Sequence, residues 1–201
     1  MAVISSEIVK TLRDKTGAGM MDCKRALEET NGDLELATDY LRKKGAAVAA
    51  KRAEKEANQG VIEAYIHAGS RVGAMVELNC ETDFVAKTPE FKQLAHDIAM
   101  QIAAMSPIFV SKENVDEVTL QKELEIYKAQ AVNEGKRPEI AEKIAEGRLE
   151  KFYQEVCLLE QSFIKDSGKT IKDLLSDATG KVGEKIGVRR FHRYHLGESP
   201  R

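Results

Sequence analysis

A chain of 201 residues falls in the range of one or two modest domains, and 42% hydrophobic residues supply enough apolar surface for a packed core. The 31 Lys and Arg residues face 33 Asp and Glu, a formal net charge of −2, which weighs against binding by phosphate neutralisation and so against a direct nucleic-acid partner. No apolar run reaches the ~18 residues of a membrane span, and the start carries no signal-peptide pattern. Cys23, Cys80 and Cys157 are an odd number without CxxC spacing, which predicts a reducing, cytoplasmic setting with neither a disulfide framework nor a zinc site.

Glycine divides residues 1–45 into three predicted helices. The first runs from the Ser5-Ser6 cap region through Ile8, Val9 and Leu12 to Gly17. The second carries Met20, Cys23 and Leu27 on one stripe and ends at Asn31-Gly32. The third takes Asp33 as N-cap, places Leu36, Ala37, Tyr40 and Leu41 inward, and ends with Arg42-Lys43-Lys44 and Gly45. Acid at the start, base at the end and a closing glycine give the expected helix polarity. Residues 46–59, rich in alanine and charge, read as a helical or partly ordered linker between this bundle and a second domain.

At Gly60 the apolar period changes from 3.6 to 2. Ile62, Ala64 and Ile66 alternate with polar neighbours, and after Ala68-Gly69-Ser70 so do Val72, Ala74, Val76 and Leu78. This predicts a β-hairpin with those residues on the core face. Helices follow over Phe91–Met105, near 117–133, from Pro138 to about Val156, and over 170–179. The end returns to strand, with Ile186, Val188, Arg190, His192, Tyr194 and Leu196 on one face. Residues 60–197 are therefore predicted as an α+β core with a small antiparallel sheet of about three strands, and 198–201 as a frayed tail.

No enzyme is indicated. Ser167-Gly168-Lys169-Thr170 lacks the glycine a phosphate loop needs five residues before Gly168, where Phe163 stands, and reads better as a helix-entry turn. His192 and His195 fall on opposite faces of a strand. The three cysteines read as small buried hydrophobes. The basic end, with Arg189, Arg190 and Arg193 near aromatics, suits an RNA-binding strand or an edge strand protected by charge.

Two segments break the pattern of apolar inside and polar outside. Met20 and Met21 are adjacent at a helix start, about 100° apart, so either one thioether is surface-available for protein contact or both are partly buried. Asn79-Cys80-Glu81-Thr82-Asp83-Phe84-Val85-Ala86 joins strand to helix, with Thr82 or Asp83 as N-cap. Phe84 is then either a lid on the hairpin or an aromatic presented, with Asp83, from a rigid corner to another protein.

Leu12 to Leu27, LRDKTGAGMMDCKRAL, closely resembles the first signature of the bacterial and organellar translation elongation factor Ts family, and Asn79–Ala86 resembles its second. The stretches Ile140–Arg148 and Lys181–Phe191 are also similar, so the resemblance covers essentially the whole chain in order. It implies a guanine-nucleotide exchange factor that binds the GDP form of elongation factor Tu and disturbs its Mg²⁺ and phosphate site, with no cofactor of its own. It implies a ubiquitin-associated-like (UBA-like) three-helix domain that docks through Arg13, Met20, Met21 and Lys24. Thr82, Asp83, Phe84 and Val85 would be the inserting segment. His67 precedes a hairpin turn as a histidine does in the second module of long members, with loop spacing differing by one residue. Long members have two core modules; the length here fits one, as in the short form, and leaves a sheet edge and a contact surface for a twofold homodimer. The alternative is a non-catalytic adaptor with a UBA-like domain.

Overall fold

The computed structural model describes residues 4–198. In chain order the elements are α1 (Ser6–Thr16), α2 (Met20–Glu29), α3 (Leu34–Arg52), β1 (Gln59–Ile66), β2 (Val72–Cys80), α4 (Asp83–Ala86), α5 (Pro89–Met105), α6 (Glu117–Asn133), α7 (Pro138–Val156), β3 (Ser162–Phe163), β4 (Asp166–Thr170), α8 (Ile171–Val182) and β5 (Gly187–His195). The strands form a three-stranded sheet in the order β1-β2-β5 and a separate β3-β4 pair. The class is α+β, as the periodicity predicts. Among the described residues no helix is long and apolar enough to cross a membrane. Of the predicted tail, residues 199–201 lie outside the described residues, while Glu198 accepts a hydrogen bond from Arg193 Nη1 at 3.1 Å.

The chain divides into two compact units that cut across sequence order. One holds the chain up to Val61 together with Asn79–Phe91 and Asp173–Gly187; the other holds Ile62–Leu78, Lys92–Lys172 and the chain from Val188 on.

In the first unit, local signals set the bundle. The Ser5 side chain caps α1, Gly17 closes it at φ 66° where a side chain would be strained, and the Asp33 carboxylate caps α3 through Glu35 N and Leu36 N. Val9, Leu12, Cys23, Ala26, Leu27 and Ala37 make the core, with Leu34, Tyr40 and Leu41 packed around it. Two expectations fail on α3. Leu36 is exposed, because Leu34 takes the inward position. The helix also does not stop at Gly45 but runs to Arg52. Gly45 is a packing surface rather than a terminator: a Cβ there would lie 3.8 Å from Gly180 Cα of α8, so two helices meet at glycine. The alanines that follow keep the helix going.

In the second unit, α5 lies on the inner face of the sheet. Ala74, Val76 and Leu78 of β2 are buried there as predicted, with Ala95, Ile98 and Ile102 of α5. β1 reverses the expectation. Ile62 and Ile66 are each 64% exposed, and Glu63 and Tyr65 turn inward. Tyr65 meets the His96 ring edge-on at 5.5 Å, and Glu63 Oε1 lies 2.9 Å from His96 Nδ1. On β5, Arg190, His192, Tyr194 and Leu196 do share a face, but it is the open one. Arg193 points inward and donates to Ala103 O at 3.1 Å. The inner face is thus polar where these strands meet α5, with Glu63 and Tyr65 on His96 and Arg193 on the carbonyl of Ala103.

The remaining elements are held by polar contacts. α6 and α7 form a hairpin whose seam buries Ala131, Ala141 and Ala145, with Lys128–Glu142 and Arg148–Glu134 each at 2.8 Å along its flanks. Two buried glutamines fasten the β3-β4 pair to α5: Gln101 Nε2 donates to Gln161 Oε1 at 3.2 Å and to Ser162 O at 3.1 Å, and Gln101 Oε1 accepts from Ile164 N at 2.9 Å. Ser167–Thr170 is strand β4, not the predicted turn.

The α3–α8 crossing makes an asymmetric prediction. A Cβ on Gly180 would lie 2.6 Å from Gly45 Cα, inside backbone contact distance, whereas one on Gly45 meets ordinary spacing. Gly180→Ala is expected to destabilise by ~1–3 kcal/mol. At ~2–4 °C per kcal/mol for a chain of this size, that is a clear drop in Tm. Gly45→Ala is expected to be neutral or slightly stabilising; equal effects in thermal melts would place the tight contact elsewhere.

Candidate functional site

The corner between β2 and α5 is built from its backbone outward. β2 ends at Cys80, and Thr82 turns the chain in extended geometry (φ −124°, ψ 155°) to cap α4, its hydroxyl accepting from Val85 N at 3.5 Å. Asp83 is not the cap; it accepts from Lys87 Nζ at 2.6 Å, and that bond and charge hold its carboxyl below the usual range. α4 is a single turn. Pro89 opens α5 with a fresh helical register, and Thr88 Oγ1 accepts from Phe91 N at 3.3 Å. The seven-residue offset between Phe84 and Phe91 therefore does not place them on one stripe. Phe91 is 3% exposed and Phe84 is 80% exposed. The lid reading of Phe84 is excluded.

What anchors the corner is a pair of carboxylates. Glu184, between α8 and β5, takes both donors of Thr82: N–H to Oε2 at 3.0 Å and hydroxyl to Oε1 at 2.7 Å. Glu81 in turn accepts from Lys185 N at 2.7 Å and from Arg52 Nη1, at the end of α3, at 2.8 Å. Beneath, Cys80 and Ala86 are buried and Cys80 Sγ donates to Thr82 O at 3.1 Å. None of Glu81, Glu184, Arg52 or Lys185 is indicated as a site residue by the sequence. The signal that could have found them is that Glu81 lies within Asn79–Ala86, and Glu184 and Lys185 within Lys181–Phe191, two of the stretches carrying the resemblance.

The same unit holds the bundle residues. Cys23, Ala26 and Leu27 turn inward on α2, but Met20, expected on their stripe at the helix start, is 46% exposed and Met21 is 68% exposed, so neither thioether is buried. Arg13 and Lys24 are exposed, and Asp22, paired with Lys44 at 2.5 Å, ties the start of α2 to α3. Val85 is half-buried. His67 belongs to the other unit, exposed before the turn, with Tyr65 Oη 3.0 Å from its Nδ1.

Other chemistry finds little support in the geometry. All three cysteines are buried, and burial pushes their thiols up, Cys157 to about 11, away from nucleophilic thiolates. Among the described residues no His, Cys, Asp and Glu group is arranged to hold a metal. Arg190 donates to Glu77 at 2.7 Å and Arg193 is committed to Ala103 and Glu198, so these cations of the basic strand serve the fold.

The exposure contrast predicts stability. Phe84→Ala is expected to change stability by no more than ~0.5 kcal/mol. Phe91→Ala is expected to cost ~3–5 kcal/mol. Denaturant titrations of both variants check this; a large loss at Phe84 would make it a core residue.

The family model described as Elongation factor TS matches residues 5–198. The chain is 61% identical over 196 residues to Elongation factor Ts of Carboxydothermus hydrogenoformans, covering 98% of this chain and 90% of that protein. It is 60% identical to Elongation factor Ts of Moorella thermoacetica, covering 98% and 97%, and 59% identical to that of Desulforamulus reducens, covering 98% and 91%. Identity at this level along nearly the full length, with the corner and bundle signatures inside the matched span, means that the chain belongs to the elongation factor Ts family of translation elongation factors.

Proposed function

We propose that this protein is a guanine-nucleotide exchange factor for elongation factor Tu, which docks through its N-terminal helices and drives Phe84 toward the partner's Mg²⁺ and phosphate site. The observation that carries the reading is an aromatic side chain 80% exposed on a corner tied to two other segments, Thr82 N–H to Glu184 and the Glu81 carboxylate to Lys185 N and Arg52. Met20, Met21, Arg13 and Lys24 are the docking contacts, and His67 adds one from the hairpin turn. Thr82 and Val85 shape the single turn that carries Phe84. Asp83, kept ionised by Lys87, enters beside it as an anion.

The physics is leverage on a metal. Mg²⁺ demands near-octahedral geometry, so moving the groups that position it loosens the nucleotide without contact to the nucleotide itself. Burying one Phe in a partner is worth ~1.5–3 kcal/mol. At 1.4 kcal/mol per factor of ten, this wedge alone shifts nucleotide affinity by about 10- to 100-fold. Linkage makes the effect reciprocal: bound nucleotide weakens the exchange factor by the same factor, which lets it leave. No covalent step occurs, and the setting is cytoplasmic.

The open face of the sheet supports a twofold homodimer as the resting form. Ile66 overlies Gly73, and Glu77 pairs with Arg190, so Ile62, Ile66, Met75 and Tyr194 share one face, Tyr194 at 70% exposure. A face this apolar is normally covered. Sedimentation is expected to give twice the chain mass, and Tyr194→Glu to shift it toward monomer.

The decisive measurement is labelled GDP release from elongation factor Tu. Phe84→Ala is expected to slow maximal release at least ~10-fold while docking persists. Met21→Ala is expected to raise the half-saturating concentration by a similar factor. Binding by the parent protein without accelerated release would favour the adaptor.

A further inference from the structure

Phe84 has no buried contact of its own, so its direction is set entirely by the backbone that carries it. α4 has four residues, Asp83–Ala86, and one helical turn cannot hold a direction by its own hydrogen bonds. One end is fixed by the burial of Ala86 and the other by Thr82. Cys80 Sγ holds the Thr82 carbonyl, but both donors of Thr82 go to one side chain, since Glu184 accepts its N–H at 3.0 Å and its hydroxyl at 2.7 Å.

The hydroxyl is what couples the carboxylate to the turn. A threonine hydroxyl has one proton and two lone pairs. With the proton committed to Glu184 Oε1, a lone pair is directed at Val85 N, which donates to it at 3.5 Å. The carboxylate therefore orients the cap, and the cap orients the turn. Fold anchorage has a separate provider: Glu81 joins the same two segments through Lys185 N and adds Arg52 of α3.

We propose that Glu184 is a positioning residue for nucleotide exchange: it acts through Thr82 to aim Phe84, and it sets how fast the docked complex releases nucleotide rather than how tightly it docks. This rests on the reading of Phe84 as the wedge. Removing the carboxylate frees the Thr82 hydroxyl to rotate and lets α4 pivot about Ala86. The bundle surface that docks keeps its own caps and core.

The test uses the full chain with elongation factor Tu loaded with fluorescent GDP, separating maximal release rate from half-saturating concentration. Glu184→Ala is expected to lower the maximal rate by roughly tenfold, with half-saturation within about twofold of the parent. Glu184→Gln, which keeps one carbonyl acceptor, is expected to fall between. In the Phe84→Ala background, Glu184→Ala is expected to add no further loss, because the residue it aims is gone. Three results overturn the proposal: a parental maximal rate in Glu184→Ala, a full additional loss on top of Phe84→Ala, or half-saturation rising in step with a fall in Tm, which marks a scaffold role. Should Glu184→Ala fail to fold, Glu184→Gln decides: reduced rate at parental Tm supports positioning, and parental rate overturns it. A Phe84→Ala protein that exchanges at the parental rate defeats the wedge reading itself, a result distinct from any failure of Glu184 alone.

Discussion

Two adjacent carboxylates hold this protein's corner in place. Glu81 and Glu184 come from segments more than a hundred residues apart, yet each accepts the backbone N–H of a residue beside the other. Hydrogen bonds to a charged acceptor are worth ~1.5–3 kcal/mol, about twice a neutral bond. Four of them converge on residues that would otherwise form a free strand-to-helix loop. Without them, α4 would be one turn of helix with an exposed phenylalanine, a conformation that has no local reason to persist. The clamp converts a loop into a corner, and the corner is what distinguishes a presented aromatic from a mobile one.

The rest of the fold follows the same logic of polar groups deciding where apolar ones go. Burial of Gln101 and Gln161 is tolerable because Gln101 pairs its amide donor and acceptor with Gln161, Ser162 and Ile164, and Gln161 Nε2 reaches Glu155 O at 2.9 Å. A buried amide left unpaired costs ~1–3 kcal/mol, so this network fixes one seating of the β3-β4 pair on α5. On the sheet, Glu63 and Tyr65 engage His96 from within, which sends two isoleucines of β1 outward. The apolar open face is the consequence of satisfying a polar inner one, and it leaves the surface on which a second copy is proposed to sit.

Glycine serves three different purposes in this chain, and composition alone does not separate them. Gly17 closes a helix with a left-handed backbone. Gly45 and Gly180 let two helices touch. Gly73 leaves room beneath Ile66. Only the first leaves a local mark in the sequence, because only the first is a property of its own backbone torsions.

The sequence by itself determined whatever is governed by contacts within about one helical turn. Ser5, Asp33 and Gly17 mark bundle ends, Pro138 opens α7, and the alternation of Ala74, Val76 and Leu78 marks the central strand. The oddness of Phe84 was legible too, since an aromatic just past an N-cap fits no stripe. Its exposure was not, because that depends on Pro89 resetting the helix register. The continuation of α3 past Gly45 was decided jointly, by the helix-forming alanines that follow and by the close approach to Gly180, which only the tertiary structure shows. Tertiary structure alone decided the parity of β1, because alternation reads the same from either face until a partner such as His96 selects one. The carboxylate clamp belongs here as well: a glutamate on a loop looks like any solvated charge until folding brings its acceptor to a backbone N–H a hundred residues away.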